Sequence, residues 1–514
     1  MQYDLEIIRE ALVPKGYNDK LPPEYIPDGY LSKAVNAVIT DETIDKRTGY
    51  SLAGNDTGEK PILGGVFITT SSGLKRAYKF HNKTDDTAIQ IWEWTGTGNW
   101  ELLNENLLLG AGNKVNCTIA QDKIYCFDGI STPVVITPLS PTTTVAAVAD
   151  VNFPKGSFGI WFHNFLFVSG TDSNPDRLFW SDVENPDDFT TGITGSVDVN
   201  PNDSDFIIGL NTLKDELLIF KRDRIWSLTG FGTTTFTLND INENITGFGA
   251  VSHRAIVNTG NDVLYMSHVG GDPEFRSVNR TRYGTIVEGG LISDDIRGSM
   301  RLLENTQLDQ AEAEFNGEDV LFAVPSSGTT QNDLVFVYDT VGKGWVKWTG
   351  LYVGVFTKMD FTGEVEIYFG ESRADSKFYI LDSSTNDNGV AIDFYVETRR
   401  YGGNKPERNK KWKYCYVVAD KLGNYDLNVY QSPDGFTFEP LGTINLNPVG
   451  TTFPITFDDA PLGVSDTVRK RLDFAKKTSY YVTLRMWNHN IDQPISIRHW
   501  ELLYKERALR DAKP

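Results

Sequence analysis

The groups in this chain that could do chemistry are six histidines, three cysteines and 69 acidic residues. His81, His163, His253, His268, His489 and His499 are scattered, with neither an HExxH pair nor a Cys/His cluster at zinc spacing. Each reads as a structural or surface imidazole. No GxSxG elbow, Walker loop or dinucleotide fingerprint occurs. A glycosidase needs only two carboxylates held at a set distance, so Asp187 with Asp188, Asp203 with Asp205, and Asp294 with Asp295 are the pairs to weigh. In a chain this acidic such pairs arise by chance. NPNDSD (Asn200–Asp205) and STNDNG (Ser384–Gly389) alternate oxygen ligands as calcium loops do, but neither completes the twelve-residue pattern. Both read as solvated turns. Cys117, Cys126 and Cys415, an odd number, read as reduced core thiols rather than a disulfide framework. The expectation is no catalytic residue, no metal and no cofactor.

Charge argues in the same direction. A formal net charge of −20 opposes tight nucleic-acid binding, which rests on lysine and arginine displacing counterions. A negative wall repels phosphates, which suits a conduit better than a clamp. Against this background RRYGGNKPERNKKWK (Arg399–Lys413) carries seven cations and one acid. Arg399, Arg400, Lys405, Arg408, Lys410, Lys411 and Lys413 are therefore candidates for a subunit contact with the acidic surface of an identical neighbour. A DNA contact and a plain solvated loop are the other readings of that run. The aromatics of IWEWTGTGNW are candidates for glycan stacking, and QSPDGFTFEPLG (Gln431–Gly442) resembles a Ser-x-Asp-Gly hairpin common in β-sandwiches and carbohydrate-active propellers.

The elements that must position these residues are strands. Short alternating runs bounded by Gly, Asn, Asp and Ser recur, and apolar spacing at three and four residues is almost absent. Helix is expected only at residues 4–12, near Leu31–Val38 and over Asp294–Leu303. Aromatic-rich strand groups repeat at intervals of about 45–60 residues, a propeller's period. They include RAYKF with IQIWEW, NCTIAQDKIYCFDGISTPVVI with a hairpin turn at Phe127–Ile130, and GIWFHNFLFVSG. Stacking them radially buries faces that no group buries alone. A β-propeller of five to seven blades is expected over 36–388, its last blade closed by a strand from Val38–Leu52. Longer strands over 389–505 read as an independent β-sandwich, flanked by an N-terminal extension (1–35) and a polar tail (506–514). No run of about 18 apolar residues is present and the first residues carry charge, which places synthesis and assembly in a cytoplasm.

Four segments carry a family resemblance: NAVITDETIDKRTGY (Asn36–Tyr50), DRLFWSDVENPDDF (Asp176–Phe189), LLIFKRDRIWSLTG (Leu217–Gly230) with GFGAVSHRAIV (Gly247–Val257), and DLVFVYDTVGKGWVKW (Asp333–Trp348). In this order they resemble the β-propeller tail hub and nozzle proteins of short-tailed bacteriophages, a group that includes packaged-DNA stabilisation proteins. Thr48 stands where many relatives have proline. The resemblance implies a non-enzymatic virion protein in the tail, a ring of six copies lining the DNA-ejection channel and retaining packaged DNA. Its implied partners are a portal-side adaptor, tail fibre or needle proteins, and DNA in passage without sequence-specific binding. Two further functions remain open: a receptor-binding protein for a host surface glycan, and a glycan-cleaving propeller enzyme. Residue by residue the motifs read as packing: Pro186 sets a turn, Asn185 or Asp187 bonds the local backbone, and Phe189 folds back onto its blade.

Overall fold

The computed structural model describes residues 5–9, 14–107, 109–201, 203–232, 235–241, 247–269, 271–283, 290–447, 466–474 and 478–507. Strand accounts for 51% of the chain and helix for 5%, so sheets do the packing. The chain divides into two compact units, one of residues 51–336 with 351–381, the other of 1–50, 337–350 and 382–514.

The first unit is a β-propeller. Six separate antiparallel sheets of three or four strands form its six-blade arrangement, starting at Ile62–Thr69, Asn116–Ala120, Phe158–Phe162, Ile207–Leu213, Ile256–Asn258 and Val353–Met359. The first five opening strands neighbour one another in turn, and the strand Glu312–Phe315 bridges the fifth and the last. The ring closes where Val353–Met359 lies along Ile62–Thr69. Ser51 and Leu52, the end of strand Gly49–Leu52, add the outer edge of the last blade, and the Ala53 N–H donates to the Phe378 carbonyl at 2.8 Å. That edge strand lies within the expected closing segment Val38–Leu52.

Alternation explains the packing. In Ile62–Thr69 every second residue is buried, and Val66 and Ile68 join Tyr78, Phe80, Ile124, Cys126 and Ile136 in one cluster shared by the first two blades. Equivalent clusters lie between the other blades, such as Phe165, Phe167 and Trp180 with Leu217 and Ile219. At about 25 cal/mol per Å² of apolar area, these shared faces hold the ring together. Gly64 shows how closely the opening strands approach: a Cβ there would stand 2.4 Å from the Val115 carbonyl oxygen.

The second unit contains two sheets. One orders Thr467–Asp473, Lys410–Asp420, Ser496–Glu506, Ile44–Lys46 and Ala37–Ile39. The other orders Trp345–Thr349, Tyr30–Val35, Phe394–Thr398, Thr483–Asn488, Asp426–Ser432 and Glu439–Asn445. Trp412, Trp500, Leu484 and Met486 are buried, and the Trp500 indole donates to the Tyr401 hydroxyl at 2.9 Å.

Two sequence expectations are corrected here. Glu6–Arg9 is a strand paired with Glu501–Tyr504, not part of a helix over 4–12, of which residues 4 and 10–12 lie outside the described residues. Leu31–Val38 is strand on both sides of Asn36, which sits at positive φ, because three strands supply ladder partners to Tyr30–Val35. The second blade turns twice: at Gln121 and Asp122, both at positive φ, and again after Phe127, where the chain reverses into Val134–Thr137 and Asp128 caps the Ile130 and Ser131 N–H groups, so the expected turn at Phe127–Ile130 opens the second hairpin. Asp294–Met300 is helical as expected. Of the polar tail, residues 508–514 lie outside the described residues.

Candidate functional site

A densely hydrogen-bonded polar cluster lies where the propeller's opening strands converge. GFGAVSHRAIV ends in a short 3-10 turn, His253–Ala255, that leads into Ile256–Asn258. This turn aims Arg254 inward. Its Nε donates to Asn116 Oδ1 at 2.6 Å, Nη2 to the Leu63 and Val115 carbonyls at 2.8 and 2.6 Å, and Nη1 to Glu312 Oε1 at 3.0 Å and the Gly354 carbonyl at 3.5 Å. The acceptors belong to the first, second and last blades and the Glu312–Phe315 strand. Lys114 reaches the same Glu312 oxygen at 3.3 Å, and burial holds its ammonium below the ordinary lysine range. A cleft of about 470 Å³ lies beside the cluster, lined by Lys114, Phe158, Asp172, His253 and Arg254 among others. Every N–H of Arg254 is thus committed to the protein. Such a guanidinium pins strands together and has no donor to spare for a substrate.

His253, half-buried at the edge of the cleft, is stacked on Phe158 at 4.7 Å; burial, with Arg254 adding to it, pushes its imidazole down to about 3. His81 has a similar character. Its Nδ1 lies 2.8 Å from the Asn82 carbonyl and so carries the proton, leaving Nε2 to accept from the Thr57 hydroxyl at 3.1 Å. Burial lowers it to about 4. Both rings are neutral at physiological pH.

The acidic pairs are taken up by architecture. Asp187 binds Lys123 and accepts from the Tyr125 hydroxyl at 2.7 Å, tying the third blade to the second. Asp188 caps the Thr190 and Thr191 N–H groups, each at 2.8 Å. In this loop Asn185 bonds the local backbone through its own N–H and carbonyl, the side-chain cap comes from Asp188, and Phe189 packs on Phe153 at 4.5 Å. Asp205 accepts from the N–H groups of Phe206, Arg222 and Asp223. Asp294 pairs with Arg297 at 2.9 Å.

Both calcium-like loops hold a side-chain cation. In the first, the fully buried Lys221 ammonium lies 2.9 Å from both Asp203 oxygens, 3.2 Å from Asp176 and 3.2 Å from the Asn200 carbonyl. Burial works against the Asp203 carboxylate, but Lys221 and the Asp205 N–H hold its pKa below the ordinary range. In the second, Asp387 grips Arg47 in a fork, Nη2–Oδ2 2.6 Å and Nη1–Oδ1 2.8 Å. Arg47 also donates to Asn36 Oδ1, the Thr48 carbonyl and the Thr349 carbonyl. Among the described residues, no cluster of three or more His, Cys, Asp and Glu side chains is placed to hold a metal.

The basic segment lies in the two-sheet unit and is largely neutralised there. Arg399 pairs with Asp28 at 2.6 Å, Arg400 with Glu24 at 3.2 Å, and Lys405 and Arg408 with Glu506 at 3.4 and 3.5 Å. Lys410 is buried, its ammonium donating to the Lys405 and Arg408 carbonyls at 2.5 and 2.7 Å. It is unavailable to a partner. Lys411 and Lys413 stand half-exposed on the opposite face of that strand, with no acidic partner among the described residues. Of IWEWTGTGNW, Trp94 and Trp100 are buried with Tyr368 and Phe378 between the first and last blades, and Trp92 is half-buried over His81.

No protein-family model matches the chain, and no curated protein matches it. Solved structures similar to it include YCF48 from Cyanidioschyzon merolae (TM-score 0.38, 10% identity, 65% of this chain and 98% of that one). The WD40 β-propeller domain of Doa1 aligns with TM-score 0.36 and 9% identity over 65% of this chain and 97% of its own. An exo-β-1,3-galactanase from Phanerochaete chrysosporium aligns with TM-score 0.28 and 9% identity over 89% and 100%.

Proposed function

We propose that this chain is a structural protein of a bacteriophage tail, a hub or nozzle subunit that lines the DNA-ejection channel and helps retain the packaged genome. The observation that carries the reading is that three of the four ordered segments resembling tail propellers supply residues that tie the fold together. Arg254 pins the axis, Lys221 of the third segment binds Asp176 of the second, and Arg47 of the first binds Asp387. These contacts serve rigidity, which a wall under pressure from packaged DNA requires.

The placement of Arg254 also constrains how such a protein would conduct DNA. With the axis of a single propeller crossed by a committed guanidinium, the conduit runs between copies arranged around it, a heterologous contact closing on itself as a ring, in line with the six copies the resemblance implies. A net charge of −20 keeps the wall from adhering to phosphates. The two-sheet unit, read as a β-sandwich, is the docking module toward an adaptor above and fibre or needle proteins below. Lys411 and Lys413 are the cations of the basic segment left for a subunit contact. The test is genetic: an amber mutation in the gene should give heads that package DNA and then lose it, with rescue by the chain supplied in trans. Full genome retention without the chain would overturn the proposal.

A further inference from the structure

The solvent face of the second sheet in the two-sheet unit carries an unusual row of aromatics. Cross-strand register sets Tyr395 opposite Trp487 and Trp487 opposite Asn428, while the adjacent row sets Glu397 opposite Arg485 and Arg485 opposite Tyr430. Their neighbours in sequence, Val396, Met486 and Val429, are buried on the other face, so alternation directs this row outward. Tyr395, Tyr430, Arg485 and Trp487, together with Asp393 and Phe438, line a cleft of about 420 Å³, within the range of small-ligand sites.

The cleft is rigid and its polar capacity is only partly used. The Trp487 indole donates to Asp393 Oδ1 at 2.6 Å, and its ring meets Tyr430 edge to face at 6.1 Å. Arg485 lies 3.8 Å over the Phe438 ring and directs Nε and Nη2 to Glu397 Oε1. Its Nη1, and the hydroxyls of Tyr395 and Tyr430, have no protein partner among the described residues. Phe438 is held by the hairpin before it, where Asp434 Oδ1 accepts from the Ser432 hydroxyl and the Phe436 and Thr437 N–H groups at 2.8–2.9 Å. Those bonds hold the Asp434 carboxyl well below the usual carboxylate range.

We infer that this cleft binds a pyranose unit of a glycan. A sugar ring presents an apolar C–H face to lay on Trp487 with Tyr430 walling its edge, and hydroxyls at its rim to meet Arg485 Nη1, Asp393 and the two phenols. An apolar peptide would bury those donors without satisfying them, which is penalised. A bare anion is disfavoured because Asp393 and Glu397 already offset the Arg485 charge. The inference is independent of the tail reading, since a glycan site is compatible with a tail protein and with a free-standing lectin-like one.

The test uses the full chain on an array of α- and β-linked oligosaccharides of glucose, galactose and N-acetylglucosamine, followed by tryptophan-fluorescence titration of those retained. Saturable binding is expected, weakened at least tenfold by Trp487→Ala. Tyr430→Phe and Tyr395→Phe, which keep the rings and so the fold, should each weaken it about two- to tenfold through one lost hydrogen bond. Absence of binding across the array overturns the inference. So does sugar binding that the two phenylalanine variants leave unchanged, or tryptophan quenching by a proline-rich peptide and not by sugars.

Discussion

Replacing Arg254 with alanine removes five donated hydrogen bonds at the centre of the propeller. The loss is asymmetric. The Leu63 carbonyl keeps the Val115 N–H at 2.9 Å, and Asn116 lines the adjoining cleft, from which a bridging water nearly as good as the lost bond can reach it. Glu312 cannot recover as easily: it is 3% exposed and keeps only Lys114 at 3.3 Å. Breaking a buried ion pair from one side costs about 3–5 kcal/mol. For a unit of this size about 2 °C of Tm accompanies each kcal/mol, so differential scanning calorimetry should show the propeller transition falling by roughly 6–10 °C. Arg254→Met with Glu312→Gln, which removes the stranded charge, should recover part of that loss, a coupling of about 0.5–3 kcal/mol. An Arg254→Ala shift under about 2 °C, or strict additivity in the double variant, would refute the idea that this residue pins the axis.

Three other outcomes follow from the same geometry. Lys221→Met leaves Asp203 and Asp176 facing each other without their ammonium; Asp203 is partly solvated, so a loss of about 1–3 kcal/mol in chemical denaturation is expected, and an unchanged midpoint would contradict the bridging role. The His81 pKa is depressed in the folded state, so its stabilising contribution is complete above about pH 6.5 and is lost as pH falls toward about 4. Relative to His81→Gln, the native chain should lose roughly 2 kcal/mol between pH 7 and pH 5, and parallel pH–stability curves would count against a buried neutral imidazole. Lys410→Glu should destabilise the two-sheet unit, because the carboxylate would meet the Lys405 and Arg408 carbonyls, whereas Lys411→Glu and Lys413→Glu should fold normally by circular dichroism; equal effects at the three positions would be inconsistent with the burial of Lys410.

Strand content and blade grouping were legible because both depend on local periodicity, as in Ile62–Thr69, where the pattern of two is written in the residues. The closing strand was legible too, since a propeller needs one and Ser51–Leu52 follows the first motif. What sequence could not show was direction at the axis. Nothing in SHRAIV says that Arg254 turns inward while His253 packs against Phe158, because both follow from how the 3-10 turn meets three other blades. Long-range charge pairing was equally hidden: Asp187 meets Lys123 across 64 positions and Arg400 meets Glu24 across 376. For the same reason the run Arg399–Lys413 reads as a bare cationic patch, although acids from both chain ends cover most of it. Trp94 and Trp100 looked exposed because turn residues surround them, yet the last blade buries them. The aromatic cleft left a signal that alternation could have revealed: Tyr395, Tyr430 and Trp487 each occupy the outward position of a strand.

The most direct test of the proposed tail role is electron microscopy of phage particles assembled with this chain, with a gold label on its C-terminal tail. The account predicts label in a ring around the tail channel, at a copy number near six, with density for each propeller in the channel wall. Label confined to projecting fibres, or absent from the particle, would contradict it.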